Sequence, residues 1–353
     1  MPQKYWITVP GSQWTAKETE MLNVQNVVRP WQELLRPAFR HADAQDPVLI
    51  TLLQPITIDV REMDDQSINE IDSNANNVLL RQYYIHVVDL ISVEVPDELQ
   101  DIANDLPSPA EVVHKRTKLD RSAKADNRPS TAQSDASIPR STSANSINSI
   151  DSILQATLAS KTERAFHSLL TYVVEVMRVA RDRKPSVLIV VPDHLAVKIK
   201  LSKQHPGCTV INNGSVVIRK SENPVINIEC KSRDGSTGRD IYEKLFAQEF
   251  AEVLAMMLQR DGKMLRYSNR SDPFRVVYSL SAHHRRVYLT RVEFPPEYLR
   301  AINDGNLQSE AVIVERSDKS YRLDNAGELR ELVTMIYLLF VQMEHDVATN
   351  VLA

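Results

Sequence analysis

Apolar residues in the second half of the chain follow helical spacing in some segments and strand spacing in others. Over Ile153–Arg181 they recur every three or four positions, which predicts a long helix with one buried face. The apolar Ser186–Val191 and the alternating Leu195–Leu201 predict two short strands after it. The later predicted elements are a hairpin over Cys208–Arg219 turning at Asn212-Asn213-Gly214, a strand at Pro224–Cys230, a helix at Gly238–Arg260, a hairpin of Phe274–Ser281 and Arg286–Glu293, a short helix at Pro295–Ile302, a strand at Ala311–Val314 and a helix at Glu328–Asn350. This order predicts an α/β or α+β domain at residues 152–350, with a central mixed sheet flanked by helices.

The first part of the chain, residues 1–106, has mixed patterns that predict a separate and mainly helical region. Thr15-Ala16-Lys17-Glu18 fits a capping box, which starts a helix. Helical spacing over Asn26–Phe39 and Asn77–Val95 predicts two further helices, whereas Val48–Val60 is rich in β-forming residues but broken by a proline. No chemical motif is present, so we expect a scaffold or a surface for a protein partner.

Composition changes over residues 107–151, where serine, alanine, asparagine, aspartate, proline and basic residues dominate. A segment with so few large apolar side chains cannot bury enough surface to offset its ordering entropy, so we predict a disordered linker. Its basic start, His114-Lys115-Arg116-Thr117-Lys118, has two interpretations: solvated linker charge, or a nuclear-import or polyanion-contact patch.

Overall composition and charge narrow the class of protein. The chain has 353 residues, of which 42% are hydrophobic, which is ample for a sizeable core. Its net charge of −4 means that any binding of a polyanion needs a local basic patch. Two cysteines without a CxxC pair cannot make a four-ligand zinc site alone, and eight glycines without a glycine-rich loop argue against kinases and dinucleotide-binding proteins.

No segment predicts secretion or membrane insertion. The N-terminus lacks the long apolar stretch of a signal peptide. The most apolar late segment, Val333–Val341, is about half the ~20 residues that a membrane span needs. We therefore expect a soluble intracellular protein, in the nucleus or the cytoplasm, with no membrane partner.

The strand Pro224–Lys231 holds the candidate chemistry. Alternate side chains of a strand share a face, so Ile226, Ile228 and Cys230 are expected on the core side. Glu229 and Lys231 then emerge together on the other side, as a carboxylate and an ammonium at the end of a sheet strand. A carboxylate suits magnesium and a lysine stabilises phosphate charge, which are the two needs of phosphodiester cleavage.

Glu229-Cys230-Lys231 resembles the (D/E)xK element of the PD-(D/E)xK nuclease superfamily, which includes restriction endonucleases and RecB-like nucleases. The family core has the order helix, three strands, helix, strand, and the order predicted from Ile153 to Ser281 is similar. The resemblance implies a restriction-endonuclease-like fold. It also implies metal-dependent hydrolysis of nucleic-acid phosphodiester bonds, with magnesium or alternatively manganese as the cofactor.

The resemblance also implies roles for individual residues. The family needs an upstream acid, commonly after a proline, and Pro192-Asp193 fits that description. Asp193, Glu229 and the backbone carbonyl of Cys230 would then hold the metal, and Lys231 would orient the attacking water. Glu163 on the first helix and Gln248 on the helix after the lysine would support the metal or the substrate.

Two departures from the family pattern leave alternatives open. Thirty-five residues lie between Asp193 and Glu229, which requires an extra hairpin, and Asp193 ends one strand rather than opening the strand beside Glu229. One alternative is a catalytically inactive nuclease-fold module that binds protein or nucleic acid. A purely structural alternative makes Glu229 and Lys231 a solvated pair on an edge strand and Asp193 a cap.

A second basic group, His283-His284-Arg285-Arg286, lies at the predicted turn of the later hairpin. A solvated turn and a contact with nucleic acid both fit this pattern. Two adjacent histidines point to opposite faces of a strand, so they are poor joint metal ligands.

Overall fold

A mixed sheet with helices on both faces forms the centre of the fold, which confirms the predicted α/β class. The computed structural model describes residues 7, 9–62, 75–92, 144–180, 186–192, 196–199, 207–232, 239–262, 275–304 and 310–349. Its helices are α1 (Ala16–Met21), α2 (Trp31–Leu34), α3 (Pro47–Leu53), α4 (Ala75–Ile91), α5 (Ala144–Ala180), α6 (Arg239–Gly262), α7 (Pro296–Asp304) and α8 (Ala326–Ala348). Its strands are β1 (Val24–Arg29), β2 (Leu188–Val191), β3 (Ala196–Ile199), β4 (Cys208–Ile211), β5 (Gly214–Ile218), β6 (Pro224–Lys231), β7 (Val276–His283), β8 (Arg286–Glu293), β9 (Val312–Ser317) and β10 (Tyr321–Arg322).

Eight of the described strands form the main sheet, in the order β1-β9-β8-β7-β6-β5-β2, with β10 paired to β8. The pairs β6–β7 and β1–β9 are parallel, and the other neighbours are antiparallel. The parallel pair β6–β7 requires a crossover, which α6 provides across one face of the sheet. Strands β3 and β4 form a separate two-stranded sheet. The chain order α5, β2, β5, β6, α6, β7 therefore gives helix, three sheet strands, helix, strand, with β3 and β4 inserted between β2 and β5.

Each face of the main sheet has its own hydrophobic core. On one face, Ile226, Ile228 and Cys230 of β6 pack with Phe166 and Leu169 of α5, in a core that also includes α4 and α8. On the other face, apolar residues of β7, β8 and β9 pack against the apolar side of α6. The alternation along β6 therefore divides its side chains between α5 and α6, as the strand pattern predicted.

The N-terminal region belongs to the same sheet, which corrects the predicted separation at residue 106. Strand β1 pairs in parallel with β9, from Val24 opposite Val312 to Arg29 opposite Ser317. The helix predicted over Asn26–Phe39 is therefore wrong at its start. Several valines in this strand suit a sheet, and the pairing partner lies nearly 290 residues further along the chain, beyond the reach of a local pattern.

Three other predictions for the N-terminal region can be compared with the structure. The β-rich Val48–Val60 instead begins with helix α3, whose N-cap Asp46 accepts hydrogen bonds from the backbone N–H groups of Val48 and Leu49. This cap and the proline in the first turn outweigh the β propensity. The capping box at the start of α1 is confirmed, with the Thr15 N–H donating to Glu18 Oε2 over 2.7 Å. Helix α4 confirms the helix predicted over Asn77–Val95.

The hairpin predicted to turn at Asn212-Asn213-Gly214 is wrong. Strand β4 pairs with β3, whereas β5 pairs with β2 and β6, so the chain passes here from the small sheet to the main one. The passage brings backbone and helix close together at Gly214, which has φ of +156°. A Cβ at Gly214 would lie 2.6 Å from His167 Cε1 and 2.8 Å from the Val191 carbonyl oxygen.

The predicted linker over residues 107–151 falls mostly outside the described residues. Its last eight residues are helical, because α5 already begins at Ala144. Ile147, Ile150 and Leu154 continue the helical spacing of apolar residues toward the N-terminus, which accounts for the longer helix. The basic segment at the start of the predicted linker lies outside the described residues.

Candidate active site

Strand β6 is central in the sheet, between β5 and β7, and this position buries the predicted pair. The side chain of Glu229 is 1% exposed and that of Lys231 is 13% exposed, and the two form an ion pair. The alternative of a solvated pair on an edge strand is therefore wrong. Both side chains point toward α6, away from the core side of Cys230.

Helix α6 adds a second carboxylate to this pair. Glu252 Oε1 lies 3.9 Å from Lys231 Nζ, and the Glu252 carboxyl is close enough to Glu229 for their charges to interact. Burial, followed by the negative charge of Glu229, raises the pKa of Glu252 well above its usual range. This favours a protonated Glu252 beside the ion pair. Burial alone would lower the pKa of Lys231, but the nearby carboxylates of Glu229 and Glu252 outweigh it and raise the pKa.

Asn227, two residues before Glu229, connects the acids to neighbouring strands. Its Nδ2 lies 3.1 Å from Glu252 Oε2 and 3.1 Å from Ser279 Oγ, and its Oδ1 accepts a hydrogen bond of 3.1 Å from Asn212 Nδ2. These bonds fix the amide and, through it, the rotamer of Glu252. We call Asn227, Glu229, Lys231 and Glu252 the acid–lysine cluster.

A second buried ionic group adjoins the acid–lysine cluster. His283 is the register neighbour of Lys231 on β7, and its Nε2 lies 2.5 Å from Glu249 Oε1. Glu249 Oε2 accepts a 3.1 Å hydrogen bond from Arg316 Nη1, and the Arg316 guanidinium lies 4.1 Å from the centre of the Tyr288 ring. Burial would raise the pKa of Glu249, but the charges of Arg316 and His283 outweigh it and lower the pKa to about 2. The solvated turn expected at His283 is therefore wrong, because this histidine is buried.

Glu163 approaches the same end of β6 from the opposite face. It lies on α5, with its Oε1 4.0 Å from Nε2 of His167, and that nitrogen is 3.2 Å from the carbonyl oxygen of Asn213. Burial raises the pKa of the Cys230 thiol well above its usual range, and the nearby Glu163 carboxylate raises it further. Cys230 thus lies in the core, as its alternation with Glu229 predicted. Metal ligation by its carbonyl stays a prediction.

Of the other two predicted residues, Gln248 has a different partner and Asp193 cannot be assessed. The side-chain amide of Gln248 donates a hydrogen bond to the carbonyl of Ser12, on the N-terminal segment. Asp193 lies outside the described residues. The strand that precedes it, β2, is separated from β6 by β5.

Two amides lie just before the strand that neighbours β6. Asn212 and Asn213 immediately precede β5, and Asn213 Oδ1 accepts a hydrogen bond of 3.1 Å from the backbone N–H of Cys230. The Asn213 N–H in turn donates to the carbonyl of Ile228 over 3.2 Å. Strand β5, the neighbour of β6, is thus preceded by neutral side chains.

Sequence reasoning missed two buried acids of α6, Glu249 and Glu252. Glu249 and Glu252 are three residues apart, so they lie on one face of the helix. They are surrounded by Phe246, Phe250 and Val253, and carboxylates within such an apolar helix are a signal for buried ionic contacts. The sequence therefore indicated that Glu249 and Glu252 are buried, but it did not show which residues they contact.

The carboxylates of the acid–lysine cluster are suitable ligands for a divalent cation. Lys231 forms an ion pair with Glu229 Oε1, and no other donor among the described residues reaches either oxygen of Glu229, so this carboxylate retains acceptor capacity. Two carboxylates from different elements are the ligands that magnesium prefers. Within the described ranges, no group of three or more His, Cys, Asp or Glu side chains is arranged to hold a metal.

Comparisons with known proteins found no relative that suggests a function, so the functional proposal rests on the geometry of the site. No protein-family model matches the chain, and neither a curated protein nor a solved structure is significantly similar to it. Among the described helices, none combines the length and apolarity needed to cross a bilayer.

Proposed function

We propose that this protein is a metal-dependent hydrolase of nucleic-acid phosphodiester bonds, with the acid–lysine cluster as its active site. One observation supports this most: Glu229, Glu252 and Lys231 converge from a strand and a helix at the C-terminal end of β6. The order of α5, β2, β5, β6, α6 and β7, which resembles that of the PD-(D/E)xK superfamily, supports the same chemistry.

Glu229 and Glu252 are the residues that would hold magnesium or manganese. The bound metal would polarise the phosphodiester and lower the pKa of a coordinated water. In the metal-free protein the proton on Glu252 relieves the repulsion between the two carboxylates, so metal binding must release it. Lys231, kept cationic by the same carboxylates, would orient the attacking water and balance negative charge on the phosphate.

The test is a cleavage assay with matched variants. Purified protein is incubated with end-labelled single- and double-stranded DNA and RNA in magnesium or manganese, and products are resolved on gels. We expect Lys231→Met and Glu252→Gln to reduce cleavage by about 100-fold or more, as loss of a transition-state contact does. Lys319→Met is the control, because Lys319 is an exposed lysine paired with Glu331. If the wild-type chain cuts none of these substrates, or Lys231→Met cuts as fast, the proposed activity is wrong.

A catalytically inactive nuclease-fold module is the second candidate, and the amides that precede β5 favour it. Asn213 bonds to the backbone on either side of Glu229, so an amide precedes β5 where the PD-(D/E)xK pattern has an acid. This candidate predicts salt-dependent binding to nucleic acid, or binding to a protein partner through the N-terminal region, without cleavage. It also predicts that Asn213→Asp creates manganese-dependent thermal stabilisation that the wild type lacks. Stabilisation of the wild type by manganese, together with cleavage, would reject it.

A further inference from the structure

A cavity of about 300 Å³ lies on the face of the main sheet opposite to the acid–lysine cluster. Four arginines and two glutamates account for its polar lining: Arg29, Arg36, Arg40, Arg291, Glu33 and Glu315. Arg291 shares a sheet face with Leu289, which packs in the core beneath α5 and α8, whereas Glu229 points toward α6. We call this cavity the arginine pocket.

The arginines of the pocket are held in place by contacts with the sheet and with the segment after α2. Glu315 on β9 joins two of them, with Oε1 2.7 Å from Arg29 Nε and Oε2 2.6 Å from Arg291 Nη1. Arg36 forms an ion pair with the buried Asp346 of α8. Arg40 Nε donates to the Leu35 carbonyl over 3.0 Å. Four guanidinium groups from separate positions are thus oriented before any ligand binds.

The segment that carries Arg36 and Arg40 is anchored through its backbone. The Arg36 N–H donates to Gln342 Oε1 over 2.9 Å, and the Leu34 carbonyl accepts a 3.0 Å hydrogen bond from the Tyr278 hydroxyl. Gln342 Nε2 donates to the same hydroxyl over 2.9 Å, so one buried network joins α8, β7 and the wall of the pocket. A wall fixed in this way loses little conformational entropy when a ligand binds.

Positive charge exceeds negative charge in the lining. Four arginines face two lining glutamates, and the excess of two positive charges is reduced to one by Asp346 behind Arg36. Arg29, Glu33 and Glu293 are 43%, 47% and 42% exposed, so water screens their charges alike. The remaining Arg36, Arg40 and Arg291 still exceed Glu315 and Asp346 by one charge. Each guanidinium has five N–H donors, of which the ion pairs above use one or two, so donors remain for a bound anion.

We propose that the arginine pocket binds a small organic phosphomonoester, with its phosphate among the four guanidinium groups. The planar arginine fork matches the spacing of phosphate oxygens, and the pocket is larger than a phosphate group alone requires. A phosphomonoester carries close to two negative charges at neutral pH, whereas a diester carries one. The excess positive charge of the lining therefore favours the monoester over a nucleic-acid backbone.

The test compares ligands that differ in the phosphate. Thermal unfolding and calorimetric titration of the full chain are measured at constant ionic strength with AMP, cyclic AMP, adenosine and an oligonucleotide without a terminal phosphate. We expect AMP to raise the melting temperature and to bind at least ten times more tightly than cyclic AMP, with no effect of adenosine. Equal binding of AMP and cyclic AMP, binding of an oligonucleotide but not AMP, or no effect of AMP at millimolar concentration would each overturn the proposal.

Arg40→Met is the variant that tests the pocket most cleanly. Arg40 is held by backbone carbonyls rather than by one of the described carboxylates, so its removal leaves no buried acid without a partner. We expect this variant to weaken AMP binding about tenfold with an unchanged circular dichroism spectrum. Arg300→Met is the control, because Arg300 is 68% exposed and lies on α7. Unchanged AMP affinity in Arg40→Met, or an equal loss in Arg300→Met, would contradict the assignment.

Discussion

The buried contact between Glu249 and Arg316 gives the sharpest prediction for stability. Both side chains are 2% exposed, and the Glu249 carboxylate contacts Arg316 through one oxygen and His283 through the other. Glu249→Gln keeps the shape of the side chain but removes its charge. The Arg316 guanidinium would then remain buried beneath α6 without its carboxylate.

Two independent arguments give a similar loss in free energy of unfolding for this substitution. Removing one partner of a buried ion pair costs about 3–5 kcal/mol in free energy of unfolding. The pKa of Glu249 is lowered from 4.5 to about 2, which corresponds to about 3 kcal/mol at about 1.36 kcal/mol per pKa unit. We therefore expect Glu249→Gln to reduce the free energy of unfolding by about 3 kcal/mol at pH 7.

Urea unfolding monitored by tryptophan fluorescence measures this quantity, because Trp14 and Trp31 are buried. Arg316→Met and the double variant complete a double-mutant cycle. The double variant should recover most of the loss, since neither charge is left buried alone. Glu331→Gln, which breaks an exposed ion pair with Lys319, is the control and should change stability by less than about 0.5 kcal/mol. Additive losses in the cycle, or a Glu249→Gln protein as stable as the wild type, would refute the reasoning.

The pH dependence follows from the same contact. Because the folded-state pKa of Glu249 is depressed, its contribution to stability is complete above about 4.5 and is lost as pH falls toward about 2. The stability difference between wild type and Glu249→Gln should therefore shrink over that window. A difference that stays constant from pH 6 to pH 2.5 would mean that folding does not lower the pKa of this carboxyl, which would contradict the prediction.

Two further substitutions test local packing and capping. Gly214→Ala should destabilise the protein by at least about 2 kcal/mol, because the new methyl group would lie 2.6 Å from His167 Cε1; thermal unfolding measures this. Gly327→Ala, where the nearest contact is 3.4 Å, is the control and should be neutral or slightly stabilising. Asp46→Ala removes the N-cap of α3 and should cost about 1 kcal/mol in urea unfolding, with Asp46→Asn recovering most of it.

Period-two alternation made the central strands predictable from the sequence. Within Pro224–Lys231 the alternation decided which residues face α5 and which face α6, and the structure confirms that division. The hairpin of β7 and β8 was predicted for the same reason. Segment Asn26–Arg29 was predicted incorrectly because its spacing also suits a helix, and only β9 decides between the two. Pairing between residues so far apart in the sequence cannot be predicted from a local pattern.

The candidate site was predictable only in part, for a related reason. Glu229 and Lys231 are two residues apart on one strand, so a local rule places them together. Glu252 joins them only because α6 crosses over β6 in a particular rotation, which depends on packing along the whole helix. Asn213 lies near the site because the chain crosses from the small sheet to the main sheet at Gly214. The sequence pattern at this point is that of an ordinary hairpin turn.

Burying the charges of the acid–lysine cluster costs free energy, which indicates that the cluster does not serve stability alone. A buried ion pair with an extra acid stabilises a fold less than apolar residues of similar volume, because the desolvation cost of the charges opposes their attraction. A cluster retained only for stability has no advantage over leucine and methionine at these positions. We therefore expect the triple variant Glu229→Leu, Lys231→Met, Glu252→Leu to unfold at an equal or higher urea concentration than the wild type. Manganese should raise the melting temperature of the wild type, as the proposed metal site requires, but not that of the triple variant. A triple variant that is several kcal/mol less stable would instead assign the cluster a structural role, because its charges would then contribute more to the fold than apolar packing does.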